Sequence, residues 1–83
     1  MDRKNLLDNL DRLHTTELGE VRIRKNVNIN NEDVVSYLKD KIMDKDSLIY
    51  KNGKNYYCEI DGIRITVNSY NFCIITAHQL KNK

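Results

Sequence analysis

The sequence is poor in cysteine and glycine, has no proline or tryptophan, and lacks a long hydrophobic run. Its 83 residues include two cysteines, Cys58 and Cys73, and three glycines. Two cysteines are too few for a disulfide framework, and no residues near them have the spacing of zinc ligands. We therefore expect two buried thiols that form no disulfide, and neither a metal nor a cofactor.

The lack of hydrophobic segments limits where the protein is expected to act. No apolar run approaches the roughly 20 residues of a membrane span, and the stretch from Met1 to Asn5 lacks the hydrophobic character of a signal peptide. We expect a cytoplasmic protein with no membrane partner.

The net charge is also small. Fourteen Lys and Arg residues against twelve Asp and Glu residues leave a formal charge of +2. This value is too slight to indicate a nucleic-acid partner through bulk electrostatics, so any such role requires a local patch. Since the sequence also has no Gly-rich phosphate loop, Ser-His-Asp set or paired catalytic carboxylates, it gives no support to nucleotide hydrolysis, glycoside hydrolysis or redox-cofactor chemistry.

The length predicts a single domain over residues 1–83, with a helical part at 1–45 and a β-meander at 46–79. A chain this short buries a modest core, which excludes a large cofactor fold or a deep cleft. The first segment, Met1 to Leu13, predicts one amphipathic helix. Its apolar stripe consists of Leu6, Leu7, Leu10 and Leu13.

Two further segments have helical patterns. Residues 17–26 read as a helix capped by Thr15 or Thr16, or as a strand, because Val21 and Ile23 alternate with arginines; we favour the helix. The next helix is expected to begin at Asn30 or Asn31, with Glu32 and Asp33 in its first turn. Its apolar positions are Val34, Val35, Leu38 and Ile42.

From Ser47 onward the apolar period changes to two, which is typical of strands. Asn52-Gly53 and Asp61-Gly62 are the dipeptides that type I′ hairpin turns require. The sequence therefore predicts strands at 48–50, 56–60, 63–67 and 72–77. The expected fold is α+β, with two or three helices packed on one face of a four-stranded antiparallel meander. The edge strand 48–50 offers a route to a homodimer.

Two-residue turns also predict the strand register. The Asp61-Gly62 turn places Glu59 opposite Arg64, and the Asn52-Gly53 turn places Ile49 opposite Tyr56. The inward face then carries Tyr56, Cys58, Ile60, Ile63, Ile65 and Val67. In the last strand we place Cys73, Ile75 and Ala77 inward, and Phe72, Ile74, Thr76 and His78 outward. The outward face would then gather Tyr57, Glu59, Arg64, Thr66, Thr76 and His78.

Four blocks of the chain stand out, at residues 13–19 (LHTTELG), 22–26 (RIRKN), 53–57 (GKNYY) and 65–78 (ITVNSYNFCIITAH). They resemble the blocks LHTTELG, RIxxN, GKNWY and ITVNAxSxTIITAH of a family of small bacterial proteins known only as a domain of unknown function, and the resemblance covers nearly the whole chain. Tyr56 stands where the family usually has Trp, Ser69 where it often has Ala, and Asn71 and Cys73 also depart from the pattern. Because that family has no described activity, the resemblance bears on fold boundaries more than on chemistry.

The C-terminal half is also similar to the superfamily of metal-independent ribonucleases that includes barnase-like, RelE-like and colicin-type nucleases. That resemblance implies catalysis on the outward face of a four-stranded sheet. RNA transesterification needs a base, an acid and a cation. Two histidines, or one histidine with a carboxylate, can supply the base and acid near neutral pH. The candidate catalytic residues are His14, His78, Arg64, Thr66 and Thr76, with Arg22 or Arg24 as other sources of the cation.

A binding surface is the competing interpretation. Near the first turn, Lys51 and Lys54 occur together with a cluster of three tyrosines, Tyr50, Tyr56 and Tyr57. Binders of single-stranded nucleic acid combine cations and aromatic side chains in this way, although a hairpin with solvated lysines explains the same pattern. The candidate binding residues are Tyr57, Arg22, Arg24, Lys25, Lys51 and Lys54.

The sequence favours a small non-enzymatic interaction module that binds and modulates, for example inhibits, a nucleic-acid-processing protein complex. A mobile-element origin is part of this hypothesis, and the expected partner is a protein or nucleoprotein. The alternative is a toxin-like, metal-independent ribonuclease that uses His78, with or without His14, and acts on RNA.

Overall fold

A computed structural model describes residues 2–29 and 33–80, and they form an α+β fold as predicted. The helices are α1 (Asp2–Leu7), a single 3-10 turn (Leu10–Arg12), α2 (Glu17–Val27) and α3 (Val34–Met43). The strands are β1 (Leu48–Asn52), β2 (Asn55–Ile60), β3 (Ile63–Asn68) and β4 (Ile74–Gln79). They form one antiparallel meander in the order β1-β2-β3-β4. None of the helices in the described ranges is long and apolar enough to cross a membrane.

The predicted first helix is wrong in its extent, because α1 ends at Leu7. The side-chain amide of Asn9 donates to the carbonyl of Asn5 at 2.8 Å. The backbone N–H of Asn9 donates to the carbonyl of Leu6, three residues earlier. Such local bonds from Asn compete with the α-helical pattern and tighten the chain into a 3-10 turn. As a result, Leu13 enters the core and His14 leaves the helical layer in extended backbone.

Helix α2 confirms the helical interpretation of residues 17–26. Thr16 is its N-cap, with a hydroxyl that accepts from the Gly19 amide at 3.0 Å. The buried residues of α2 are Gly19, Ile23 and Val27. Leu18 and Val21 have the spacing of one helix face, but they lie on the exposed side of α2.

Helix α3 starts later than predicted. Its N-cap is Asp33, whose carboxylate accepts from the Ser36 amide at 3.0 Å. The expected caps, Asn30 and Asn31, lie outside the described residues. Helix α3 buries Val34, Leu38 and Ile42.

The two hairpins differ in how well their registers were predicted. The β2–β3 register is confirmed, with positive φ at both Asp61 and Gly62 as a type I′ turn requires. The β1–β2 register is wrong by two residues, because Ile49 lies opposite Cys58 and the loop is Gly53-Lys54. Gly53, at φ 65°, takes the first loop position, which type II′ turns reserve for glycine. A shift of two residues preserves the side-chain alternation, so the faces stay as predicted.

The last strand contains a β-bulge that the sequence interpretation did not include. Thr66 lies opposite Thr76 and Val67 opposite Ile74, so Ile75 is an extra residue in β4. The prediction is therefore wrong for Ile75, which is exposed, and for Phe72 and Ile74, which are buried. Cys73 is only partly buried, while Cys58 is buried, and both thiols are free. Ala77 points inward as expected.

The core lies between the helices and one face of the sheet. Its main contributors from the sheet are Tyr56, Cys58, Ile60, Ile63, Ile65, Val67, Ile74 and Ala77. We call the opposite side of the sheet the open face. It carries Tyr50, Tyr57, Glu59, Arg64, Thr66, Thr76 and His78.

Candidate functional site

Three ionisable side chains lie in one row across the open face. Glu59 on β2 is directly opposite Arg64 on β3, and Arg64 is directly opposite His78 on β4. Neighbouring strands are about 4.8 Å apart, so Glu59 and His78 flank Arg64 with backbones roughly 9 to 10 Å from each other. The row thus holds a carboxylate, a guanidinium and an imidazole in order.

A second row runs beside the first. It joins Tyr50, Tyr57, Thr66 and Thr76 across all four strands. The rings of Tyr50 and Tyr57 are stacked, with centroids 5.5 Å apart. Thr66 is buried between its neighbours, and Thr76 is half-buried. The first row is therefore bordered by an aromatic pair at one end and two hydroxyls at the other.

Hydrogen bonds fix the carboxylate and the guanidinium of the first row. Tyr50 Oη donates to Glu59 Oε2 at 2.7 Å, and Arg64 Nε donates to the same oxygen at 3.0 Å. Arg64 Nη2 also lies 3.0 Å from that oxygen, and Arg64 Cζ lies 6.0 Å from the Tyr57 ring centre. The other carboxylate oxygen of Glu59 takes part in none of these bonds. Arg64 is thereby held between Glu59 and the aromatic pair.

This network sets the protonation of its members. The Tyr50 hydroxyl, followed by the Arg64 guanidinium, lowers the pKa of Glu59, although partial burial opposes the shift. The same bond to Glu59 raises the pKa of Tyr50. Glu59 is thus ionised and Tyr50 neutral at neutral pH, which leaves a proton acceptor beside a fixed cation.

The structure does not bring the two histidines together. His14 forms an isolated bridge with Cys73, just before β4, and its Nδ1 lies 2.9 Å from the carbonyl oxygen of Arg12. His78 is five residues beyond Cys73 along β4. Since a strand rises about 3.3 Å per residue, roughly 16 Å of chain separates the two positions. His14 is exposed at one end of β4, and His78 belongs to the row at the other end.

The predicted binding residues fall at two separate places. Arg22 and Lys25 are exposed on α2, which packs against β4. Arg24 pairs with Glu20 at 3.2 Å and also donates to the carbonyl of Ile29. Lys51 and Lys54 lie at the β1–β2 turn, at the other edge of the sheet. Only Tyr57 of the binding set lies on the open face.

Two residues of the site were not among the predicted site residues. The sequence pattern places Tyr50 among the tyrosines near the first turn and Glu59 opposite Arg64 on the outward face, but it assigns neither residue a role in a site. The sequence did contain a signal for Tyr50. Ile49 is predicted opposite the inward-facing Tyr56, and side chains alternate along a strand, so the next residue, Tyr50, belongs to the outward face. Tyr56, the third tyrosine of that cluster, is buried in the core, where Asn5 donates to its hydroxyl.

The site contains few groups suited to a metal. Within residues 2–29 and 33–80, no group of three or more His, Cys, Asp and Glu side chains is placed to hold a metal ion. The row instead provides a charged acceptor, a cation and a group that can donate a proton.

Comparison with known proteins gives one match. A family model described as "Protein of unknown function (DUF3781)" matches residues 7–78. Neither the curated proteins nor the solved structures contain a significant match.

Proposed function

The chain belongs to the DUF3781 family, whose description names no activity, and we propose that it is a metal-independent ribonuclease that acts at Glu59, Arg64 and His78. The observation that carries this proposal is the alignment of these three residues in one row on three neighbouring strands. Each supplies one of the three components that RNA transesterification needs.

The reaction uses the 2′-hydroxyl of the RNA as its nucleophile. Glu59 accepts the proton of that hydroxyl, and the 2′-oxygen attacks the adjacent phosphorus. The bond from phosphorus to the 5′-oxygen breaks, and the imidazolium of His78 protonates the departing oxygen. The products are a 2′,3′-cyclic phosphate and a 5′-hydroxyl, so the step consumes no metal, cofactor or external oxidant.

The assignment of base and acid follows from the environment of Glu59. Its lowered pKa keeps the carboxylate ionised at neutral pH, and an ionised carboxylate can only accept a proton. Histidine is the side chain that can carry and release a proton in this pH range. The acid role therefore goes to His78.

Arg64 has the role of stabilising charge on the phosphorane. A guanidinium offers several donors in a rigid plane that matches phosphate oxygens. Arg64 lies between Glu59 and His78 in the register of the sheet, so in this proposal a phosphate bound by Arg64 has the base on one side and the acid on the other. The bonds to Glu59 hold the guanidinium in place before substrate binds.

The second row supports substrate binding in the same proposal. Stacked aromatic side chains bind unpaired bases by stacking, with little dependence on sequence. Tyr50 and Tyr57 provide such a platform next to the first row, which consists of Glu59, Arg64 and His78. In this proposal half-buried Thr76, at the other end of the same row, bonds phosphate or ribose oxygens, and buried Thr66 lies beside it.

The non-enzymatic interaction module is the second candidate. It is favoured by a different observation, the exposure of Leu18 and Val21 on α2. A module of this kind needs none of the three catalytic residues, and its Glu59–Arg64 pair would be an ordinary cross-strand ion pair. Variants of Glu59 and His78 therefore separate the two candidates.

The test is cleavage of end-labelled single-stranded RNA in EDTA by the purified protein. Two matched substrates, DNA and 2′-O-methyl RNA of the same sequence, lack the nucleophile and should remain intact. A Glu59→Gln variant purified in parallel controls for contaminating nuclease and should be at least about a hundredfold slower, the low end for loss of a general base. Intact RNA after prolonged incubation, or equal cleavage of 2′-O-methyl RNA, would overturn the proposal.

A further inference from the structure

Helix α2 presents an exposed stripe that the ribonuclease proposal does not use. We call it the α2 stripe, and it consists of Leu18, Val21, Arg22 and Lys25. These positions follow the i, i+3, i+4, i+7 spacing of one helix face. Leu18 is 76% exposed and Val21 is 65% exposed, and both cations are exposed as well.

The packing of α2 does not explain the apolar side chains of the stripe. Helix α2 lies against β4 through its opposite side, which buries Gly19, Ile23 and Val27. Single exposed apolar residues are ordinary on protein surfaces. Two adjacent ones on successive turns of the same helix face, flanked by two cations, match the pattern by which helices dock on partner helices.

The charges of the stripe indicate what kind of partner fits. Arg22 lies at the middle of α2 and Lys25 in its last turn, while exposed Glu17 precedes the stripe and is not part of it. The stripe therefore has an apolar N-terminal half and a basic C-terminal half. A partner helix that packs its apolar side on Leu18 and Val21 would need carboxylates opposite Arg22 and Lys25.

The same features argue for protein rather than RNA at this place. Leucine and valine offer nothing to a phosphate backbone, and a phosphate site would be expected to use every cation of the run. Arg24, the third cation of the run, is instead paired with Glu20 beside the stripe. We infer that the α2 stripe is a docking surface for an acidic amphipathic helix of another protein.

This inference is independent of the ribonuclease proposal, because the α2 stripe shares no residue with the row of Glu59, Arg64 and His78. The probe is a short helical peptide with leucines at i, i+3, i+4 and i+7 and glutamates on both flanks. A matched peptide carries lysines in place of the glutamates. Binding of both to the full chain is followed by backbone amide NMR, which also locates the contact.

The inference predicts that the glutamate peptide shifts the amides of residues 17–25 and that added salt weakens its binding. The lysine peptide should bind at least tenfold more weakly. Leu18→Ser and, separately, Val21→Ser should also weaken binding at least tenfold, and their exposure means that the fold tolerates either change. Tyr70→Ser, at a residue 72% exposed in the β3–β4 loop, is the matched control and should bind as the wild type does.

Four results would overturn the inference. The first is absence of binding by the glutamate peptide at millimolar concentration. The second is equal binding of the two peptides, which would show that charge does not select the partner. The third is that the shifts caused by the glutamate peptide fall outside α2. The fourth is that an RNA oligonucleotide shifts the amides of the stripe when the glutamate peptide does not.

Discussion

Arg64 on β3 lies directly opposite His78 on β4. Glu59 occupies the corresponding position on the other side of Arg64, and its carboxylate is bonded to that guanidinium. The proposed active site therefore depends on the register of three consecutive strands. A slip of one residue in β4 at this point would turn His78 away from the open face and remove the acid from the row.

The hydrogen bond from the Tyr50 hydroxyl is the largest contribution to the lowered pKa of Glu59. We predict that Tyr50→Phe raises the pKa of Glu59 toward its ordinary value, because it removes the donor that contributes most to the lowered pKa. The acid limb of the pH–rate profile should move to higher pH in the same direction. NMR titration of the Glu59 carboxyl measures this shift. Tyr57→Phe, which alters the other ring of the stacked pair, is the control, and an unchanged pKa in Tyr50→Phe would contradict the prediction.

The same carboxylate links stability to pH. A carboxyl whose pKa is lower in the folded state stabilises the fold above its unfolded pKa, about 4.3 for Glu. That contribution disappears as the pH falls through the lower folded pKa. Glu59→Gln should therefore lower the free energy of unfolding at pH 7 by roughly 0.2 to 1 kcal/mol, the range for a cross-strand pair.

At a pH below both pKa values the difference between Glu59→Gln and wild type should vanish. Urea unfolding at neutral and acidic pH measures both free energies. A difference that stays constant, or grows toward acidic pH, would show that the Glu59 network does not stabilise the ionised form.

The two cysteines should differ in reactivity, because Cys58 is buried and Cys73 is only partly buried. Burial raises the pKa of Cys58 to about 11, although a bond with Ser47 opposes the shift. Since the thiolate is the reactive form, Cys58 should resist alkylation at pH 8 in the folded protein, while the partly buried Cys73 reacts first. Mass spectrometry of the protein after limited iodoacetamide treatment identifies the labelled site. Labelling of Cys58 at the rate of Cys73 would contradict this expectation.

Gly19 is required where α2 begins. A β-carbon at this position would lie 2.4 Å from Thr15 Oγ1, whose hydroxyl donates to the carbonyl of Ile74 at 2.9 Å. Gly19→Ala should therefore destabilise the protein by about 1 to 3 kcal/mol, although alanine favours helix formation. In a Thr15→Ala background the obstructing oxygen is absent, and the same change should cost much less. Thermal unfolding of the four proteins measures this coupling, and additive effects would argue against a steric cause.

The sequence predicts the parts of the fold that local chemistry determines. Asp61 and Gly62 can both adopt positive φ, so the β2–β3 register, and with it the Glu59–Arg64 pair, follows from two residues. The pair Thr15 and Thr16 likewise locates the start of α2, and the structure uses Thr16 as the cap. In each case the determining residues are adjacent in the chain.

The remaining features depend on interactions that the local sequence does not reveal. The β1–β2 loop has two dipeptides that place glycine in a tight turn, Asn52-Gly53 and Gly53-Lys54, and the fold uses the second. The bulge at Ile75 arises from pairing across a longer loop, so neither the alternation of β4 nor the position of His78 opposite Arg64 can be read from a turn. The place of His14 depends on where the chain goes after the 3-10 turn.

The proposed active site assigns different roles to the two histidines, and this difference provides its most direct test. The measurement is the rate of RNA cleavage in EDTA by wild type, His78→Ala and His14→Ala. The row geometry predicts that His78→Ala loses roughly a hundredfold or more, the usual effect of removing a general acid. His14 lies beside Cys73, just before β4 and away from the row. His14→Ala should therefore cleave at the wild-type rate. Wild-type activity in His78→Ala, or an equal loss in both variants, would contradict the assignment of catalysis to Glu59, Arg64 and His78.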